Sequence, residues 1–137
     1  MSYDPVARIR RFNRAVTRET GVLDTSFLGR GRPLGLARVI HAIGRDGADL
    51  EAIRDALGLE KALLSRYLKS LQDEGLVTLI RDTEDGRRRI AALTDTGLAE
   101  LEAYNALSDT RAYDRLDRHP HPDPLLSATD LVASALG

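Results

Sequence analysis

The chain has 137 residues, of which 42% are apolar and 30% are charged, and its formal net charge is -1. These values predict one globular domain, and no segment has the length or character of a membrane span or a secretory leader. Cysteine is absent, which excludes disulfides and thiolate metal sites and favours a cytoplasmic protein.

The charge is distributed unevenly along the chain. Residues 1–40 contain eight arginines against three acidic residues, a balance of +5. Residues 95–137 contain three arginines against eight acidic residues, a balance of -5. Such asymmetry favours a polyanionic partner, but two solvated helix faces would produce the same pattern.

The N-terminal segment is predicted to form an amphipathic helix. Asp4 followed by Pro5 is typical of a helix start, and Gly21 is typical of its end. Apolar residues recur at spacings of three and four, which places them on one face. These residues are Val6, Ile9, Phe12 and Val16. A Gly- and Arg-rich connector then spans residues 21–34.

Three short helices follow the connector. Pro33 opens the first of them, which stops at Gly44. Asp49 caps the next helix, and Gly58 ends it. Another helix begins within two residues and ends at Gly75. Two short helices joined by a Gly-containing turn predict a helix-turn-helix motif.

A β-hairpin is predicted immediately after the helix-turn-helix. Residues 76–81 and 88–93 are β-rich runs separated by an Asp-Gly turn. This order predicts a mainly α fold with a small β-hairpin wing (α+β), a winged helix-turn-helix. A further helix starts at Thr94-Asp95 and is broken by "HPHPDP" (119–124), and a last helix is predicted within 125–137.

The fourth helix has two chemically different faces. Leu64, Tyr67, Leu68 and Leu71 fall in one arc and are predicted to face the core. The opposite arc and its margins carry the candidate DNA contacts Lys61, Ala62, Ser65, Arg66, Lys69 and Ser70. Small residues permit close approach to a major groove, where Arg or Lys can reach guanine edges or phosphates. The alternative is an ordinary solvated surface.

The hairpin tip carries three consecutive arginines, Arg87, Arg88 and Arg89. Such a tip beside a recognition helix can lie against phosphates and the minor groove, and Asp85 can hold one of the arginines in place. Neighbouring cations repel one another, and a polyanion would relieve that repulsion. The alternative is that the arginines protect an exposed strand edge from pairing.

These motifs resemble the MarR family of winged-helix transcription regulators. The resemblance is carried by "LSRYLKSLQDEGLV" (64–77) and by "DGRRRIAALTDTG" (85–97). It implies a repressor that binds a pseudo-palindromic double-stranded DNA operator as a homodimer and that responds to a small-molecule effector. By this resemblance, Ser65 and Arg66 would contact DNA from the recognition helix. Arg87 would contact DNA from the wing, with Asp85 as its partner.

The resemblance also implies a division of the chain by function. Residues 1–34 would form an N-terminal dimerisation helix and connector. Residues 35–94 would form the DNA-binding core, with the recognition helix at 60–74 and the wing at 76–94. Residues 95–137 would supply C-terminal dimerisation helices.

Two other functional classes remain open. Residues 8–24 resemble the first helix of the MarR subgroup that is fused to an acetyltransferase, so the chain could be one half of a split or truncated enzyme of that type. A winged helix can also serve protein–protein contact, but acidic residues would then be expected on the recognition face. No motif predicts a catalytic or cofactor site. No metal site is predicted either, because His119 and His121 flank a proline in a solvated linker.

Overall fold

The computed structural model describes residues 4–21, 23–84 and 86–137. The chain divides into two compact units, residues 1–104 and 105–137. The helices are α1 (Pro5–Thr20), α2 (Leu34–Ile43), α3 (Leu50–Leu57), α4 (Lys61–Asp73), α5 (Asp95–Arg118) and α6 (Pro122–Leu136). The strands are β1 (Ala48–Asp49), β2 (Val77–Arg81) and β3 (Arg89–Leu93).

Capping residues set the ends of the first helices, as the sequence predicts. The Asp4 side chain accepts a hydrogen bond from the Ala7 backbone N–H at 3.1 Å at the start of α1. Gly21 ends α1 with φ 68°, a left-handed conformation that favours glycine. None of the α1 residues, all of which are described, is buried. The apolar stripe of α1 is therefore exposed.

The hydrophobic core of the first unit is formed mainly by α2, α3, α4 and the hairpin. α2 contributes Val39, Ile40 and Ile43, and α3 contributes Ile53. Leu50 and Leu57, at the two ends of α3, pack against this core and are half-buried. α3 and α4 are joined at Gly58 (φ 64°), which confirms the predicted helix-turn-helix.

The sheet has three antiparallel strands in the order β1-β3-β2. The hairpin β2–β3 was predicted, whereas β1 was not, because two residues are too short to show strand alternation. Ala48 pairs with Ala91 and Asp49 with Ile90, so β1 attaches the start of α3 to the wing. The sequence interpretation of Asp49 as a helix cap is also confirmed, since its side chain accepts from the Glu51 N–H at 2.7 Å.

Thr94 and Gly97 fix the transition from the wing to α5. The Thr94 hydroxyl donates to the Gly75 carbonyl at 2.7 Å and accepts from the Gly97 N–H at 3.0 Å. A Cβ on Gly97 would lie 2.0 Å from the Leu76 carbonyl oxygen. Only glycine therefore permits α5 to start this close to the backbone of Leu76, just before β2.

The second unit contains the C-terminal part of α5 and all of α6. α5 extends to Arg118, just before the predicted break, because no Gly or Pro lies between Gly97 and Pro120. α6 begins at Pro122, earlier than the sequence indicated, since proline is tolerated in a first helical turn. No described helix combines the length and apolarity needed to cross a membrane.

Candidate nucleic-acid interface

The helix α4 turns one face to the core and the other to solvent. Leu64, Leu68 and Leu71 are buried, as predicted, and hold the helix against α2 and the sheet. Tyr67 is half-buried, and its phenol end packs against Gly35, where an added Cβ would come within 2.8 Å of the Tyr67 hydroxyl oxygen. These contacts fix the rotation of α4 about its axis and so determine which residues it presents.

The exposed face of α4 contains every residue that the sequence predicts for DNA contact on this helix. These are Lys61, Ala62, Ser65, Arg66, Lys69 and Ser70, and all six are exposed. Within the described part of the chain, neither Arg66 nor Lys69 takes part in an ion pair. The face is therefore cationic, and small side chains separate its long ones.

The wing adds further arginines. Arg89 is exposed at the start of β3 and pairs directly with Arg81 at the end of β2, so both side chains lie on the same face of the hairpin. Arg81 also donates to the Gly86 carbonyl across the turn at 3.3 Å. Arg87 is exposed in that turn, and Asp85, its predicted partner, lies outside the described residues.

Arg88 has a different environment from its neighbours. Its Nε donates to Asp49 Oδ2 at 2.7 Å, and its Nη1 lies 3.5 Å from Asp82 Oδ2. The hydrogen bond from Arg88, helped by the Glu51 backbone N–H, lowers the pKa of Asp49. The middle arginine of the wing thus contacts two carboxylates of its own chain.

The helix-turn-helix and the wing match a known family. The model of the MarR family matches residues 36–89, which include most of α2, all of α3, α4 and β2, and the turn of the hairpin. This segment is therefore similar to the MarR family. No curated protein sequence matches the chain.

Solved MarR-type structures share the fold of nearly the whole chain. A mutant MarR from E. coli has a TM-score of 0.78 and 17% identity, with 100% of both chains covered. BpsR from Bordetella bronchiseptica has a TM-score of 0.74 and 16% identity over 98% of this chain and 100% of that one. PcaV from Streptomyces coelicolor has a TM-score of 0.73 and 21% identity over 98% and 96%. The fold is that of MarR-family transcriptional regulators.

A buried arginine connects the end of α4 to α5. Arg32 is 8% exposed and donates to Glu74 Oε1 at 2.9 Å, to Glu100 Oε2 at 2.7 Å and to the Tyr104 hydroxyl at 3.1 Å. Arg30 pairs with the same Glu100 carboxylate. The hydrogen bond from Arg30, followed by that from Arg32, lowers the pKa of Glu100 against the opposing effect of burial.

Sequence reasoning missed this network. From the sequence, residues 21–34 are predicted only as a Gly- and Arg-rich connector. The partners of Arg30 and Arg32, which are Glu74 and Glu100, lie far away in sequence and have no pattern of their own. Only the fold shows that the connector joins the end of α4 to α5.

A small cleft of about 250 Å³ lies beside the MarR-type recognition helix. Its walls are apolar apart from one guanidinium and one phenol. The lining residues are Leu34, Gly35, Arg38, Leu57, Leu59 and Tyr67. Because Tyr67 belongs to α4, anything bound in this cleft would contact the recognition helix directly.

Proposed function

We propose that this chain is a sequence-specific double-stranded DNA-binding transcription regulator. The observation that carries the proposal is the exposed cationic face of α4 beside a wing with exposed arginines, on a core that leaves both surfaces free of its own packing. The MarR-family match of residues 36–89 supports the same function.

The α4 face fits a major groove. Ala62, Ser65 and Ser70 are small enough for the helix axis to come close to the base edges. Arg66 and Lys69 can then hydrogen-bond guanine O6 and N7 or adjacent phosphates. Lys61, at the first turn of the helix, adds charge where the helix dipole already favours an anion.

The wing fits the sugar-phosphate backbone and the minor groove. Arg81 and Arg89 are directly opposed across the hairpin, an arrangement that is destabilising without an anion between or beside them. Phosphates would supply that anion, and Arg87 at the turn is placed to enter a narrow minor groove. Protection of an exposed strand edge would explain a single arginine on the hairpin. It does not explain why Arg81 and Arg89 lie directly opposite each other.

The regulator would act as a homodimer on a two-fold symmetric site. Ile9 of α1 is 61% exposed and Val6 is 64% exposed, an apolar face that needs cover. In the second unit, Leu131 of α6 is 74% exposed and Leu136 is 81% exposed. The basic balance of residues 1–40 and the acidic balance of residues 95–137 favour contact between such segments of two copies.

A small organic effector would regulate binding, and the regulator would act as a repressor. In BpsR, DNA binding is regulated by 6-hydroxynicotinic acid. In this chain, the cleft next to Tyr67 gives an effector one route to α4. An occupant there would shift the recognition helix relative to the wing and weaken binding.

Selection from a random duplex library with the purified chain tests the proposal. The expected result is an enriched inverted repeat, which would show both sequence reading and two-fold symmetry. Arg66→Ala should weaken binding to the enriched site by about 1–3 kcal/mol. Arg111→Ala, which removes the same charge from residues 105–137, should have little effect. A library that shows no enrichment would contradict the proposal.

A further inference from the structure

The register of the sheet places Arg88 beside the start of the helix-turn-helix. Asp49 of β1 pairs with Ile90 of β3, and Arg88 lies two residues before Ile90. Strand alternation therefore brings Arg88 and Asp49 to the same face as diagonal neighbours, within reach of a long side chain. The 2.7 Å hydrogen bond between Arg88 Nε and Asp49 Oδ2 is the result.

Asp49 connects two elements with its two carboxylate oxygens. Oδ1 accepts the Glu51 backbone N–H at the start of α3, the first helix of the helix-turn-helix. Oδ2 accepts from the wing through Arg88. The carboxylate is partly shielded, with a side-chain exposure of 20%, and Asp82 of the wing, at 18%, adds a second acceptor for the same guanidinium.

We propose that Arg88 is a positioning residue, which fixes the wing against the helix-turn-helix through Asp49 so that Arg87 and Arg89 can reach DNA. This inference rests on the proposed DNA-binding function and revises the sequence prediction that all three arginines contact DNA. The charge of Arg88 is already neutralised by carboxylates of its own chain, so it adds little to the attraction of phosphates.

Positioning and direct contact make opposite predictions for Asp49. Asp49→Asn removes a negative charge close to the wing, so simple electrostatics predicts tighter binding to DNA. If the Asp49–Arg88 ion pair positions the wing, the same substitution weakens binding. Asn keeps a side-chain oxygen for the Glu51 N–H, and it therefore preserves the cap of α3.

The experiment measures DNA affinity across a salt series for five proteins: wild type, Asp49→Asn, Arg88→Ala, the variant with both of these substitutions, and Arg89→Ala. Each single variant is expected to bind about three- to thirtyfold more weakly, and the double variant no more weakly than either, as for two residues that act through one contact. The salt slope is expected to stay at the wild-type value in Arg88→Ala, whereas Arg89→Ala lowers it. Thermal melting and hydrogen exchange of residues 86–90 in the free proteins check that the fold is retained and that the wing loosens.

The outcomes separate this inference from the proposed function. Wild type that binds DNA, with Asp49→Asn binding equally or more tightly, would overturn the positioning role alone. A lower salt slope in Arg88→Ala would also overturn it, since that result assigns Arg88 to a phosphate. Wild type that binds no DNA would overturn the proposed function and the inference with it.

Discussion

Arg32 Nη2 lies 2.9 Å from Glu74 Oε1, and this contact joins the connector after α1 to the residue that follows α4. The same guanidinium reaches Glu100 on α5 through Nη1. The orientation of α4 therefore depends on an arginine that touches no part of the cationic surface. The ring of Phe27 stacks on that of Tyr104, which also belongs to this network, with 6.1 Å between the ring centroids.

Arg32→Ala is expected to lower the free energy of unfolding by about 3 kcal/mol, because it leaves Glu100 with half of its ion pairs at a largely buried site. Urea denaturation monitored by circular dichroism measures the change. Arg30→Ala is the matched control, since Arg30 is more exposed at 37% and contacts only Glu100 among these carboxylates. Equal losses in the two variants would show that burial of Arg32 adds nothing.

The free energy of unfolding is expected to fall in acid because the Glu100 carboxylate becomes protonated. Its pKa is lowered in the folded chain, chiefly by the hydrogen bond from Arg30, so the folded state prefers the ionised carboxylate. The stabilisation is complete above the unfolded-state pKa of about 4.3 and is lost as pH falls through the lower folded-state pKa. Glu100→Gln should flatten the stability curve below about pH 4.5. An unchanged curve would contradict this role.

Gly97→Ala is expected to destabilise the chain by about 3 kcal/mol, since the new methyl group would meet the Leu76 backbone rather than a movable side chain. Gly86→Ala is the control, because no heavy atom lies within 4 Å of the added Cβ there. Thermal melting of both variants measures the difference. A melting temperature for Gly97→Ala equal to that of the control would contradict the close approach of α5.

Ile9→Glu is expected to raise the dissociation constant of the proposed homodimer by about tenfold or more, because it places a charge in the apolar stripe of α1. Sedimentation velocity over a dilution series measures the constant. Ala7→Glu makes the same change of charge on the opposite side of the helix and should leave the dimer intact. Dimers of equal stability in both variants would place the interface elsewhere.

Local sequence patterns predicted most of the helices and strands but could not predict the long-range contacts. The bounds of α1 to α4 follow from caps such as Asp4 and Asp49 and from glycines that end helices, so they can be read along the chain. The pairing of β1 with β3 and the Arg32 network depend on residues that meet only after folding. For the same reason the sequence showed three arginines at the wing but not the carboxylates that pair with Arg88.

The exposed candidate residues on α4 were predicted for a physical reason. Leucines at helical spacing determine the buried face, so the identity of the opposite face follows from geometry alone. Arg81 was missed because it ends a β-rich run, and only the strand register places it opposite Arg89. The wing therefore has one exposed arginine, Arg81, that the sequence prediction did not include.

The salt dependence of DNA affinity tests the central claim most directly. If the α4 face and the wing bind phosphates, log affinity should fall linearly with log salt, by a slope of about 0.9 for each phosphate contacted, and Arg87→Ala should reduce that slope by about one. An affinity that does not change with salt, or a slope that Arg87→Ala leaves unaltered together with those of Arg66→Ala and Arg89→Ala, would contradict the account.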